Sequence, residues 1–100
     1  MTAHCLLATS LADEDVEAAF RWYEEQRAGI GLDFLNELQA AYARIAEGPY
    51  WYQDLGHGTR RALLRRFPFA VYFNVDAETV LVIAVIHVSR HPSRWQERQR

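Results

Sequence analysis

The side chains of this chain best equipped for chemistry are the imidazole of His87, the guanidinium of Arg90 and the phenol of Tyr72. An imidazole moves protons near neutrality, a guanidinium holds an oxyanion and a phenol can donate to one, so the three could cleave a phosphodiester if they met at one phosphate. Strand alternation predicts that Tyr72 and His87 share the face turned away from the core, which would bring them together. A histidine at a strand end also donates to loop carbonyls, and that role accounts for His87 without catalysis.

Arg60, Arg61, Arg65 and Arg66, with Arg90 and Arg94 later, could neutralise phosphates or an acidic protein surface. Alternation puts Arg61 and Arg65 on one side of a strand and Arg60 and Arg66 on the other, so they form no single flat basic stripe. Some are expected to pair with Asp54, Glu97 or helix acids, and an excess of arginine over nearby acid would favour binding. Every basic residue is arginine. No ammonium nucleophile is therefore present, and every cation is a forked, permanently charged donor suited to carboxylates or phosphates. Genome composition alone would produce the same usage. His4, Cys5, His57, His87 and His91 lack paired metal-ligand spacing, and Gly56-His57-Gly58 lacks the lysine and context of a phosphate loop, so neither a metal nor a cofactor is expected.

These residues need a scaffold. Ala3 to Ala8 reads as a first strand, and Ser10 as the cap of a helix whose Asp13, Glu14 and Asp15 complement its positive end. Val16, Ala19, Phe20 and Tyr23 supply the inward stripe of that helix, which should stop near Gly29. A second helix from about Gly31 carries Leu32, Leu35, Leu38, Tyr42 and Ile45, widened by Phe34 and Ala41, and ends at Gly48-Pro49. Two helices joined so closely pack as a hairpin. Residues 50–58 form an aromatic, glycine-containing loop, after which the period changes to two. Phe69, Val71, Phe73 and Val75 alternate with Ala70, Tyr72, Asn74 and Asp76; a turn leads to Val80–Val88, apolar on both faces, and Pro92 opens a short helix containing Trp95.

This order predicts an α+β fold: a two-layer sandwich with an N-terminal strand, an α-helical hairpin, an antiparallel three-stranded meander and a short C-terminal helix. One hairpin covers one face of a sheet. Leu81, Ile83 and Val85 beside Tyr72 would then be an exposed apolar patch, a site for a partner or for self-association, unless the N-terminal arm, the 50–55 loop or the C-terminal helix folds over it.

Residues 1–100 fit one domain, and a chain of this size buries roughly two thirds of its unfolded surface. The single cysteine, Cys5, allows no internal disulfide and fits a reducing compartment. No stretch reaches the ~20 apolar residues that cross a bilayer, so a cytoplasmic protein without a membrane partner is expected. The net charge of −2 hides an asymmetry: residues 1–58 hold three arginines against ten acids, a net of −7, and residues 59–100 hold eight against three, a net of +5.

From Arg60-Arg61-Ala62-Leu63-Leu64-Arg65-Arg66 through Phe67-Pro68-Phe69 to His87-Val88-Ser89-Arg90-His91-Pro92-Ser93-Arg94-Trp95, the chain resembles the RelE/ParE toxin superfamily. Members, some described as plasmid stabilization proteins, typically show an arginine strand, a Phe-Pro-aromatic turn, an aromatic and an apolar strand, and a closing His-x-x-Arg-x-Pro-x-x-Trp. The resemblance implies a bacterial type II toxin, an antiparallel sheet with its first strand beside its last, and a cognate antitoxin bound on the patch of Tyr72, Leu81, Ile83 and Val85. It implies either ParE-like, non-catalytic inhibition of DNA gyrase or RelE-like cleavage of mRNA on the ribosome through His87, Arg90 and Tyr72. An inactive descendant acting as a binding module is a third outcome. Two departures matter: lysines common around the scissile phosphate in the nucleases are absent, and the acid usual after the last arginine is His91 here. ParE-like binding through Arg60, Arg61, Arg65, Arg66, Arg90 and Arg94 is the expected mode.

Overall fold

The computed structural model describes residues 3–99. Strand β1 (Cys5–Ala8) leads into helix α1 (Ser10–Gln26) and helix α2 (Ile30–Glu47). A 3-10 turn over Pro49–Trp51 precedes the two-residue strand β2 (Gln53–Asp54), then β3 (Thr59–Leu63), β4 (Phe69–Asp76), β5 (Thr79–His87) and helix α3 (Ser93–Gln96). The sheet order is β1-β5-β4-β3-β2. β1 lies beside β5 as expected, in parallel register with Leu7 opposite Leu81, while the other pairs are antiparallel. The expected meander gains β2, because Gln53 and Asp54 of the aromatic loop pair with Arg61 and Arg60. Among the described residues no helix is long and apolar enough to cross a membrane.

Thr9, rather than Ser10, caps α1, its hydroxyl accepting from the Ala12 amide at 3.1 Å. The hairpin turn is held by Glu24, whose carboxylate accepts from the amides of Gly29 and Gly31 at 2.9 and 2.8 Å and so satisfies the open N-terminus of α2. Gly29, at φ 94°, supplies a backbone conformation that a side chain would strain. The α2 stripe is rotated from the expected one: Phe34, Leu38, Ala41 and Ile45 are buried, while Leu32 is 57% exposed. Phe34 wins the inward position because it meets Tyr23, Phe67 and Phe69 with ring centroids 5.2 to 5.5 Å apart.

The main core lies between the hairpin and one face of the sheet, where Val71, Phe73, Val80, Val82 and Val85 are all essentially inaccessible. Each such side chain stabilises the fold by roughly 1.5–3 kcal/mol relative to exposure. The opposite face is also covered. Ala70, Tyr72, Ile83, Ala84 and Ile86 form a second cluster under Trp95 of α3, with Leu55 against it. Tyr72 and Trp95 stack with centroids 4.9 Å apart and planes 15° from parallel.

The expected patch is thereby corrected. Tyr72, Ile83 and Val85 are buried, the first two beneath Trp95 and the third against the hairpin; only Leu81 remains accessible, beside exposed Leu7 on β1. Two causes act: α3 covers Tyr72 and Ile83, and a β-bulge turns Val85 inward. Tyr72 pairs with Ala84 and Phe73 with Val82, leaving Ile83 as an extra residue that inverts the facing of everything after it.

Candidate functional site

The bulge decides where His87 points. Val85 and His87 would share the outer face with Leu81 if β5 alternated without interruption, but the extra residue turns both toward the helices. His87 pairs with Phe69, and their rings meet edge to face at 5.5 Å. Phe69 in turn packs on Tyr23 of α1. The predicted sharing of one face by Tyr72 and His87 is therefore wrong, and the sheet itself separates the phenol from the imidazole.

The bulge is held by a side-chain pair that spans most of the chain. Asp15, on the inward face of α1, accepts from the Val85 amide at 3.0 Å and from Arg98 Nη1 at 2.6 Å, and the same Nη1 donates to the Ile83 carbonyl at 3.0 Å. Both side chains are mostly buried, at 14% and 16% exposure. The bulge frees a carbonyl and an amide that a regular ladder would have paired, and Asp15 and Arg98 satisfy both. Asp15 was expected only to complement the helix start. Its spacing from Ala12, Ala19 and Tyr23 places it on the buried stripe, which is the one signal in the sequence that could have marked it.

The arginines divide by position and by partner. Only Arg60 and Arg61 lie on β3; Arg65 and Arg66 belong to the turn 64–68, where Pro68 breaks the strand. Arg60 is a clamp on the preceding loop: Nη1 donates to the Tyr52 carbonyl at 2.8 Å, Nη2 stands 3.6 Å from Asp54, and the guanidinium lies over the Tyr50 ring. Arg61 donates to Gln53 Oε1 at 2.9 Å. Glu37 of α2 receives the amides of Arg65 and Arg66 and the Nε of Arg66, the last at 3.2 Å. Burial raises the Glu37 pKa, but the backbone bonds from Arg66 and Arg65 and the Arg66 guanidinium together hold it below the usual carboxylate value. Among the described residues no ion pair engages Arg61, Arg65, Arg90 or Arg94.

Arg65, Arg66, Arg90 and Arg94 gather at the end of the sheet where β3 and β5 finish and β4 begins, the two turns being tied by the Val88 amide on the Pro68 carbonyl at 2.9 Å. A cleft of about 860 Å³ opens there between α1 and the β5–α3 segment. Trp22, Tyr23, Phe69 and Ile86 line its apolar part, and His87, Arg90 and Arg94 its basic side, with Glu14 on the α1 wall. His87 Nδ1 accepts from the Ser89 amide at 3.1 Å, so in the neutral ring Nε2 carries the proton. Sequence patterning placed the His87–Arg90 pair near a strand end but gave no sign of the exposed Trp22 as the facing wall. The cleft unites His87, Arg90 and Arg94; Tyr72 lies on the other side of the sheet, and Leu81 lies out on the flank beside Leu7.

The comparisons agree with this fold. No curated protein matches the chain. Among solved structures, one chain described as "Chromosomal ParDE TA system from P. aeruginosa" shares the fold with a TM-score of 0.76 at 17% identity, over 85% of this chain and 96% of that one. The family model described as ParE toxin of type II toxin-antitoxin system, parDE, matches residues 6–92, from within β1 to the residue that opens α3. The hairpin, the bulge and, of the basic sheet end, Arg65, Arg66, His87 and Arg90 lie inside that match, and the chain belongs to the ParE toxin family of type II toxin-antitoxin systems.

Proposed function

We propose that this protein is a bacterial, cytoplasmic toxin that arrests growth by binding a macromolecular target without chemistry, with DNA gyrase as the target, and that a cognate antitoxin neutralises it. The observation that carries the non-catalytic reading is the separation of His87 from Tyr72 across the sheet. On its own side of the cleft His87 is joined by Arg90 and Arg94, which bind oxyanions but do not exchange protons near neutrality, while Glu14 and Tyr23 stand on the α1 side. Arg61, Arg65, Arg90 and Arg94 supply the attraction to the target; Arg60 and Arg66 chiefly brace the loop at Tyr52–Asp54 and the turn on Glu37.

Purified protein should inhibit gyrase-driven supercoiling. Replacing Arg61, Arg65, Arg90 and Arg94 by Ala in increasing number should weaken the inhibition stepwise, as should added salt. Unimpaired supercoiling at protein in excess over gyrase would overturn the target assignment. One observation supports a second reading, ribosome-dependent mRNA cleavage: His87, Arg90 and Arg94 line one cleft. It predicts messenger cut at codon boundaries in induced cells and cleavage lost in His87→Ala.

A further inference from the structure

Trp51 is the most exposed large apolar side chain among the described residues, at 77%, and Tyr50 beside it is exposed as well. The indole is nevertheless held in place. One of its faces rests on Gly48, where a Cβ would meet ring carbons Cε3, Cδ2 and Cζ3 at 2.2 to 2.4 Å. Buried Pro49 fixes the turn between the two residues, and the Trp51 amide donates to the Gly48 carbonyl at 3.1 Å. The ring thus keeps one face on the backbone and offers the other to solvent. A large aromatic group that is already fixed loses little freedom on binding, which is the character of an interface anchor.

Charge selects the class of occupant. The ring is seated on the C-terminal end of α2, which carries about half a negative charge. Pro49 has no amide to give the Ile45 carbonyl, and exposed Glu47 adds a full negative charge with no ion pair among the described residues. Arg44 in the same last turn offsets the helix end without covering the indole: the cation–ring contacts of the described residues are Arg60 on Tyr50 and Arg66 on Phe67. Arg60 is itself engaged by the Tyr52 carbonyl and Asp54. A phosphate approaching Trp51 would meet the helix end and Glu47, whereas a cation is drawn to both and to the face of the ring. We propose that Trp51 is an anchor for the toxin's target, its open face receiving an arginine or lysine side chain of the target protein. That the occupant is the target rests on the function proposed above. The anchor stands by the starts of β1 and β3, where the His4 amide meets the Ala46 carbonyl and Arg60 meets Tyr52, at the end of the sheet opposite Arg65 and Arg90. The target is therefore held at two places, attracted by the arginines and gripped by Trp51.

The test measures inhibition of gyrase-driven supercoiling by the full chain, with the melting temperature of each variant recorded. Trp51→Ala should raise the concentration giving half inhibition at least about tenfold while the melting temperature holds. Trp51→Phe should fall between the two, and Trp51→Leu should match Trp51→Ala, because leucine keeps apolar area but has no ring face for a cation. Gly48→Ala retains the indole but displaces it, and should weaken inhibition as Trp51→Ala does. Inhibition unchanged in Trp51→Ala would overturn the anchor, and full inhibition by Trp51→Leu would overturn the cationic occupant. A labelled single-stranded DNA oligonucleotide that binds the native chain and not Trp51→Ala would overturn the protein occupant. If the native chain leaves gyrase untouched, the target assignment fails and the anchor is read from growth on induction: arrest by Trp51→Ala equal to that by the native chain would overturn it, and normal growth of cells producing the folded variant would uphold it.

Discussion

Asp15 and Arg98 illustrate how a single pair can decide what the rest of the molecule presents. The carboxylate and the guanidinium together satisfy the Val85 amide and the Ile83 carbonyl that the bulge leaves open. Arg98→Ala should therefore destabilise the protein by about 3 kcal/mol, the lower end of the range for breaking a buried pair, measurable by denaturant unfolding. An unchanged midpoint would mean that water substitutes for Arg98 at no cost. Glu37 offers a second check. Its pKa is lowered from 4.5 in the folded protein, so its stabilisation is present above 4.5 and is lost as pH falls through the lower folded value. Glu37→Gln should narrow the gap in melting temperature between neutral pH and mild acid. Tyr42 works on the alkaline side: burial, with Asp13 and Asp15 nearby, pushes its phenol up to about 12, so the protein should lose stability as pH rises from 10 towards 12, and Tyr42→Phe should remove that loss. Little of this was legible in the sequence. Asp15 and Arg98 are 83 positions apart, and Glu37 lies 28 residues from Arg65, separations that no local pattern encodes.

The elements were far more legible, because amphipathic spacing and strand alternation are local signals. β4 behaves as its alternation predicts, with Phe73 inaccessible against the hairpin. Phe73→Ala should cost about 3–5 kcal/mol in chemical denaturation. β5 is the instructive exception. It is apolar on both faces, so nothing in its residue types marks where the phase changes, and the inserted Ile83 sent Val85 and His87 to the opposite side from the one alternation assigns. α3 resolves the second apolar face without a partner, through Trp95 on Tyr72. Trp95→Ala should expose Tyr72, Ile83 and Ile86 and raise binding of an apolar dye, while leaving the hairpin-side core folded. No rise in dye binding would show that the second cluster closes without α3.

At the scale of the whole molecule, the acidic and basic halves read from composition take a spatial form: acids stud the hairpin, and arginines without an ion pair among the described residues collect where β3, β4 and β5 meet the turns. The motif from Arg60 to Trp95 was enough to indicate the family, because the fold turns that stretch into the sheet and its basic end. It could not show that Tyr72 and His87 part company, since that depends on a backbone irregularity rather than on residue identity. The central claim is that the protein inhibits growth by binding, not by proton transfer at His87. The most direct measurement is growth after induction of His87→Ala in cells lacking the antitoxin, with the melting temperature of the purified variant confirmed as wild type. Binding predicts arrest close to that caused by the native chain; normal growth of cells producing the folded variant would contradict it.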